Sequence, residues 1–437
     1  MSKRPGPRDA QILTPARRSS RLRPRFRAGS ISLLSLCHTE SVASLSFLEA
    51  RETVINQVRA SRTPAIEVAD LHGAMGRVLA GTVAADRDSP ALARSVRDGF
   101  AVRAADLPGE LDIVGEVRAG ERFHGEVGAK QAVEIMTGAP MPAGADAVVM
   151  VEYTVSSGGR VRIDQPASPG QNINPQGCEA AAGETLLRVG KRLDYTDIAL
   201  LAAIGHVRVP VYRKPVAAII STGDEVVDVA EIPLEYQVRN SNAYALAAQV
   251  IRAGGRAKTL PIARDTMDHT RAMIELGLSC DLVLLSGGVS AGKYDIVERV
   301  LSELGATFYF DRVRIQPGQP LVFGSVAGKF FFGLPGNPSS TMVTFEVFGR
   351  AALELIGGQE DVSLHMPFAR LTSEFRHRGG LTRFLPARLS GDGTEVTPVP
   401  WHGSGDVAAM TRANAFLVAD PDCREYAVGG LIRVLMK

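Results

Sequence analysis

DLVLLSGGVSAGKYDIVERVLSELG, residues 281–305, decides the fold. The apolar run Leu282–Leu285 is short and ends in Gly287-Gly288. From Ile296 onward the apolar residues Ile296, Val297, Val300, Leu301 and Leu304 recur at helical spacing. Strand, glycine turn and helix in that order make one βα unit of a parallel sheet. The turn comes close to the phosphate loop G-x-x-x-x-G-K-[ST], with Gly287 and then Gly292-Lys293, but Tyr294 stands where a Ser or Thr hydroxyl should meet Mg²⁺. A tyrosine hydroxyl lies across a ring and cannot take that place, so the nucleotide-hydrolysing reading loses its metal ligand. What remains is a backbone turn whose N–H groups suit an anion. Gly287, Gly288 and Ser290 are its candidate contacts, and Lys293 is a nearby cation.

The same alternation extends on both sides. KPVAAIIST (214–222) reads as a buried strand, and NSNAYALAAQVIRAGG (240–255) as a helix capped by Asn240 and stopped at Gly254-Gly255. AKTLPIARD (257–265) reads as a strand ending in Asp265, followed by the helix TMDHTRAMIELGLS (266–279). KFFFGLPG (329–336) and NPSSTMVTFEVFGRAALELIG (337–357) form the last strand–helix pair, with Pro338 suited to a first helical turn. The fold class expected is α/β and multidomain, with a central parallel sheet whose ligands bind beyond the strands' C-terminal ends. SFLEARETVINQVRAS (46–61) should be an amphipathic helix with Leu48, Val54, Ile55 and Val58 on its buried face. Residues 99–180 show short strands and Gly/Pro turns, which read as a small β-rich domain. Residues 364–437 return to strands and suggest a C-terminal β-barrel or sandwich.

Charge divides the chain unevenly. Residues 1–40 carry +7, leaving −5 on the other 397 of the 437. The body is mildly acidic and has no nucleic-acid footprint. No apolar run approaches the roughly 20 residues of a membrane span. The arginine-, proline- and serine-rich head (1–43) is expected to be a disordered basic tail. Cys37, Cys178, Cys280 and Cys423 are far apart with no C-x-x-C pair, which fits neither a disulfide framework nor a zinc site and makes a reducing cytoplasm the default.

Every unusual motif of the α/β stretch falls at a strand's C-terminal end. Asp224 and Glu225 close the first strand, Asp265 the next, and Asp295 follows the opening turn. An isolated Asp295 would serve the helix dipole. Four carboxylates converging on one rim would repel one another without a cation, and hard oxygen ligands of this kind suit Mg²⁺. LPGNPSS (334–340) offers a second anion cradle through Gly336, Asn337 and Ser339, with Asn337 expected to cap the helix. Asp98 in SVRDGFA, Thr137 in IMTGAPMPAG and Ser404 in HGSGD sit in further loops, where a plain turn is the simpler reading of each.

SVRDGFAV, IMTGAPMPAGADAVV, STGDEV, RNSNAYALAA, LLSGGVSAGKYDIV, PGQPLVFG, GLPGNPSS and HGSGD, in this order, resemble the molybdopterin molybdenumtransferase family, to which the C-terminal part of gephyrin is related. The resemblance covers about Ser44 to Lys437. It implies a homodimer of four-domain subunits: a discontinuous domain from 44–88 and 181–213, a β-rich domain 89–180, a molybdopterin-binding α/β domain 214–359 and a C-terminal β domain 360–437. It implies a site between the α/β domain of one subunit and the β-rich domain of the other. The substrates would be adenylylated molybdopterin and molybdate, with Mg²⁺ as cofactor. A molybdopterin adenylyltransferase and apo-molybdoenzymes would be the protein partners. Asp98, Thr137, Glu225 and Asp295 would be catalytic, and Asp224, Glu225, Asp265 and Asp295 would hold the metal. Substrate contacts would fall to the two glycine-rich turns, Lys293, Arg312, Gln316 and Ser404. Two departures stand out. Gln316 and Gln319 occupy lysine-like positions of the family's PGKP stretch, so Arg312 becomes the cation expected to meet molybdate. In NINPQGCE, Asn174 replaces an arginine, while Cys178 and Glu179 replace two acids. An adenylyltransferase of the same pterin-binding fold, and a non-catalytic scaffold, are the competing readings; the first needs only the α/β domain.

Overall fold

The computed structural model of the chain describes residues 44–288 and 296–437. The tail 1–43 and the expected site residues Ser290, Lys293 and Asp295 lie outside them.

Helix α1 (Phe47–Ser61) starts at a capping box: the Ser46 hydroxyl accepts the Glu49 N–H while the Glu49 carboxylate accepts the Ser46 N–H. Its buried face is Phe47, Ala50, Arg51, Val54 and Val58. Leu48, expected there, is exposed, and Arg51 takes a core position that periodicity alone would refuse a charge. The Arg51 guanidinium donates to the carbonyls of Val347 and Val362. Burial holds its pKa down to about 10.

The central sheet is built from β1 (Val216–Ser221), β2 (Arg256–Thr259), β3 (Leu282–Ser286), β4 (Thr307–Arg312), β5 (Pro320–Val326) and β6 (Lys329–Leu334), in spatial order β2-β1-β3-β6-β5-β4. Strands β2, β1, β3 and β6 are parallel. Strands β5 and β4 run antiparallel to their neighbours, so the sheet is mixed and not wholly parallel as expected. The reason is local: β5 and β6 are joined by a turn too short for a crossover helix, and a tight turn can connect only antiparallel strands. The parallel strands are near-continuous apolar runs because both faces are covered. One face packs with α1, α2 (Ser241–Arg252) and the 338–356 helical stretch around Phe310, Phe323, Phe332 and Phe348. The other packs with α3 (Met267–Gly277) and α4 (Ile296–Glu303). Asn240 caps α2 as expected, accepting the Ala243 N–H at 3.2 Å.

Residues Ile66–Asp70 pair antiparallel with Arg208–Tyr212, which brings together the two stretches flanking the β-rich region. That region is a six-stranded sheet containing Gly99–Val102 and Gln131–Ile135. At the C-terminus, 382–389, 395–398, 368–371, 431–436 and 415–419 pair in sequence, and 415–419 pairs back to 382–389. The result is a closed five-stranded barrel, in which only the start of strand 382–389 keeps an open edge. Ile315–Gln316 adds to it in parallel. Phe384, Phe416 and Leu435 of the barrel share one core with Phe47 and the central sheet. No described helix is long and apolar enough to cross a membrane.

Candidate active site

The C-terminal ends of β1, β3 and β6 open into a cavity of about 500 Å³. Its walls are stitched by side chains from the start of α2. Ser221, the last residue of β1, donates to Asn240 Oδ1 at 2.8 Å. Asn242 Nδ2 donates to Ser286 Oγ at 2.8 Å and to the Gly336 carbonyl at 2.7 Å. One amide therefore ties the loops after β3 and β6 to the helix between β1 and β2. Because the carbonyl can only accept, the amide orientation is fixed and Asn242 Oδ1 is left as a spare acceptor.

Gly287 and Gly288 have φ of +92° and +64°. A Cβ on Gly287 would lie 2.8 Å from the Thr222 carbonyl, and one on Gly288 would lie 2.8 Å from Thr222 Oγ1. Both positions need glycine, for conformation and for space. The Gly287 N–H, expected to be open to an anion, instead donates to the Leu334 carbonyl at 3.1 Å. Thr222 Oγ1, Asn242 Oδ1 and Ser339 Oγ are buried without a partner among the described residues. Such atoms cost roughly 1–3 kcal/mol each. Thr222 and Asn242 line the cavity and Ser339 follows the cavity-lining Pro338, so the cost is concentrated at one place suited to a polar occupant.

The second cradle differs from expectation. Asn337 occupies the N-cap position of helix α5 (Pro338–Thr344), but its side chain makes no capping bond. The Ser339 N–H is taken by the Ser404 carbonyl at 2.9 Å. Asn337 and Gly336 line the cavity, as does Gly405, so the barrel's HGSGD turn reaches the site through its backbone.

Asp265 lies past the end of β2, which stops at Thr259; a bridge between Thr222 and Ala263 keeps the connecting loop alongside β1. The Asp224 N–H reaches Asp265 Oδ2 at 3.4 Å and the Asp265 N–H reaches Asp224 Oδ1 at 3.3 Å, so the two acids face each other. Glu225 lines the cavity beside them in sequence. Carboxylate oxygens of this kind fit a hard divalent cation. Among the described residues no three His, Cys, Asp or Glu side chains gather as a metal site.

Asp98 and Thr137 come together in the β-rich region: the Thr137 N–H donates to Asp98 Oδ1 at 2.6 Å. That bond, with a second from the Thr137 side chain, holds the Asp98 carboxyl below its ordinary pKa. Neither residue lines the cavity of the same chain. Gly99 follows because nothing larger fits: a Cβ there would lie 1.9 Å from the Val149 carbonyl oxygen. Arg312 ends β4, is exposed, and does not line the cavity. Gln316 pairs with Arg383 of the barrel. Thr222, Arg239, Asn242 and Ser286 were not singled out as site residues from the sequence, although they line the cavity. The N-S-N run at 240–242 and the serine ending the apolar strand 282–286 were the available signals.

Comparison with known proteins accounts for this arrangement. Residues 45–205 match the MoeA N-terminal region (domain I and II), 218–355 a probable molybdopterin binding domain, and 369–436 the MoeA C-terminal region (domain IV). The chain is 32% identical over 398 residues to a molybdopterin molybdenumtransferase of Staphylococcus aureus (strain MSSA476), covering 89% of this chain and 94% of that one. It is 35% identical over 381 residues to that of Bacillus subtilis (strain 168), covering 84% and 88%. A crystal structure of molybdopterin biosynthesis MoeA protein from Pyrococcus horikoshii OT3 superposes with a TM-score of 0.78 at 27% identity, covering 90% of this chain and 100% of that one. Three matched regions in order, two relatives above 30% identity and a shared architecture lead to one conclusion: the chain belongs to the MoeA family, the molybdopterin molybdenumtransferases of molybdenum cofactor biosynthesis.

Proposed function

We propose that the chain takes molybdenum from molybdate, places it on the dithiolene sulfurs of adenylylated molybdopterin, and releases AMP as the phosphoanhydride is cleaved. The observation that carries this reading is the polar cavity at the ends of β1, β3 and β6, inside the stretch that matches a molybdopterin binding domain. A pterin presents N–H and C=O groups along one edge. The spare acceptor of Asn242 and the hydroxyls of Thr222 and Ser286 match such an edge. Gly287 and Gly288 let backbone approach a phosphate without adding charge.

Asp224, Glu225 and Asp265, with Asp295, would hold Mg²⁺. When bound, that ion would neutralise the pyrophosphate and polarise its bridge. Asp98, kept ionised by Thr137, is an acceptor aimed outward from the β-rich region. In a homodimer it would face the cavity of the second subunit, where it would orient the oxygen that attacks phosphorus. A molybdopterin adenylyltransferase would supply the substrate and apo-molybdoenzymes would receive the product, in the cytoplasm.

The test is AMP release from adenylylated molybdopterin by the purified chain. Release should require both molybdate and a divalent cation, and Glu225→Gln should abolish most of it. Adenylylation of free molybdopterin by ATP, or no turnover with either substrate, would reject the reading.

A further inference from the structure

Two helices that frame the cavity are tied together, well below it, by one buried acid. Asn240 and Asn242 line the cavity at the start of α2, and Asn337 and Pro338 line it at the start of the 338–356 stretch. Glu346 joins the two elements and is itself off the cavity. We infer that Glu346 is a positioning residue for the reaction: it fixes where α2 holds Asn242 against the loops that bind the pterin. The assignment rests on the function proposed above, which takes this cavity as the pterin seat.

Within the 338–356 stretch, Phe345–Gly349 widens into a π-helical turn whose residues are all buried. Such turns inside α-helices are frequent at functional sites. Glu346 is 2% exposed. Arg252, the last residue of α2, donates from Nη2 to Glu346 Oε2 at 2.5 Å. Gln249 Nε2 donates to the same oxygen at 3.4 Å and to the Met342 carbonyl at 3.0 Å. Arg350 Nη1 stands 3.0 Å from Glu346 Oε1, near enough to pair but not aligned as a hydrogen bond. Along α2, Gln249 follows Asn242 by two helical turns, about 10 Å, and at that spacing the two side chains share a face. A helix is stiff along its axis, so a slip of α2 at Arg252 carries Asn242 with it. A third helix ends nearby: Lys437 Nζ donates to the Met410 and Ala413 carbonyls at the end of Val407–Arg412 and feels the charge of Arg252. That helix begins beside Gly405 of the cavity wall.

Stability alone does not account for the arrangement. Leu246, Val250, Val343 and Val347 of the two elements already share an apolar core. A buried ion pair gains little over apolar side chains of the same volume. Here it also leaves Gln249 Oε1 buried without a partner among the described residues. Directional bonds add what apolar packing lacks, a fixed offset of one helix along the other. The cavity needs that offset. Asn242 Nδ2 must meet Ser286 Oγ at 2.8 Å and the Gly336 carbonyl at 2.7 Å at once, and a slip of α2 breaks both.

The test is calorimetric titration of the full chain with adenylylated molybdopterin, without molybdate, combined with a double-mutant cycle. Glu346→Gln keeps the shape of the side chain and removes its charge, and it should weaken binding roughly 5- to 10-fold. The kcat at saturating substrate should stay within about twofold of the parent, because Asp224, Glu225 and Asp265 hang on loops after β1 and β2. Added to Asn242→Ala, Glu346→Gln should weaken binding by less than about a further twofold, while the two losses of stability in urea add. Binding losses that add as the stability losses do would make Glu346 merely structural and overturn the assignment. A folded Glu346→Gln chain that binds like the parent overturns it too. If that variant does not fold, Gln249→Met removes the tie from α2, leaves the acid in place and should show the same non-additivity with Asn242→Ala; additive binding losses there overturn the assignment equally. A parent chain that binds the pterin but releases no AMP with molybdate and a divalent cation removes the proposed reaction, and the binding cycle still decides the role of Glu346. A parent that does not bind the pterin removes both.

Discussion

The Ser404 carbonyl accepts the Ser339 N–H at 2.9 Å, so a turn of the C-terminal barrel caps the helix that frames the cavity. In an isolated α/β domain that N–H would face solvent or a ligand. Here the barrel completes the first turn of α5, and Gly405 becomes part of the cavity wall. The barrel is thus built into the site, and it shares a continuous core with α1 and the central sheet through Phe384 and Phe47, whose rings lie 5.2 Å apart in an edge-on contact. This is the physical argument against a chain that merely adenylylates: its pterin-binding domain would gain nothing from the added barrel.

Asn242 should be the most sensitive polar residue of the cavity. Asn242→Ala removes both bonds from Nδ2 and leaves the Ser286 hydroxyl and the Gly336 carbonyl without that donor. The expected cost is about 1–3 kcal/mol in urea unfolding. The Michaelis constant for the pterin substrate should rise by more than the stability loss explains, because the loops after β3 and β6 lose their common tie. Unchanged substrate affinity in the folded variant would place Asn242 outside recognition.

How far the sequence could reach this site follows from what a spacing encodes. Apolar periodicity gave the parallel strands and the helices of 214–357 because core-facing positions repeat regularly, but not the antiparallel strands Thr307–Arg312 and Pro320–Val326. Arg51 and Leu48 broke the pattern for tertiary reasons: carbonyls of Val347 and Val362, far along the chain, offer Arg51 its partners. The free N–H groups expected at Gly287 and Ser339 were legible as turn chemistry. Their actual acceptors, Leu334 and Ser404, belong to other segments. Asn337 looked like a cap because of its position, yet position does not orient a side chain. Asn242 lay in a quoted motif without being recognised, since its role depends on two loops meeting over one amide.

Gly99→Ala should be among the most damaging single-methyl additions in the chain. Its Cβ would fall 1.9 Å from a backbone oxygen of Val149, which no rotamer change can relieve. The strand Gly99–Val102 is fully buried between 131–135 and 147–150, so the backbone has little room to shift. A loss of about 3 kcal/mol is expected, with a lower midpoint in urea. Because Asp98 precedes it, the Asp98–Thr137 contact should loosen at the same time.

The Asp98 carboxyl should titrate below a model aspartate when followed by carbon-detected NMR. Its folded pKa is depressed first by the Thr137 N–H and then by the Thr137 side chain. A depressed carboxylate contributes stability above its unfolded pKa and loses it as pH falls through the folded value, so the bond should persist across neutral pH and fail only in acid. Thr137→Ala keeps the backbone donor, so the shift should shrink without disappearing. A full return to the ordinary aspartate value in that variant would mean that the side chain, not the backbone, is the main cause.

Divalent cation should stabilise the parent chain more than it stabilises an acid-deleted one. Asp224 and Asp265 are exposed and each touches the other's backbone N–H only at 3.3–3.4 Å. Asp265→Asn should therefore change stability by less than about 0.5 kcal/mol when metal is chelated. With Mg²⁺ added, a ligand that binds only the folded state raises stability by about 1.4 kcal/mol at a concentration tenfold above its dissociation constant. The parent should show that rise in melting experiments, and Asp265→Asn should need roughly tenfold more Mg²⁺ to reach it. Identical Mg²⁺ titrations of the two proteins would mean that Asp265 does not help to hold the ion, whatever the activity of either.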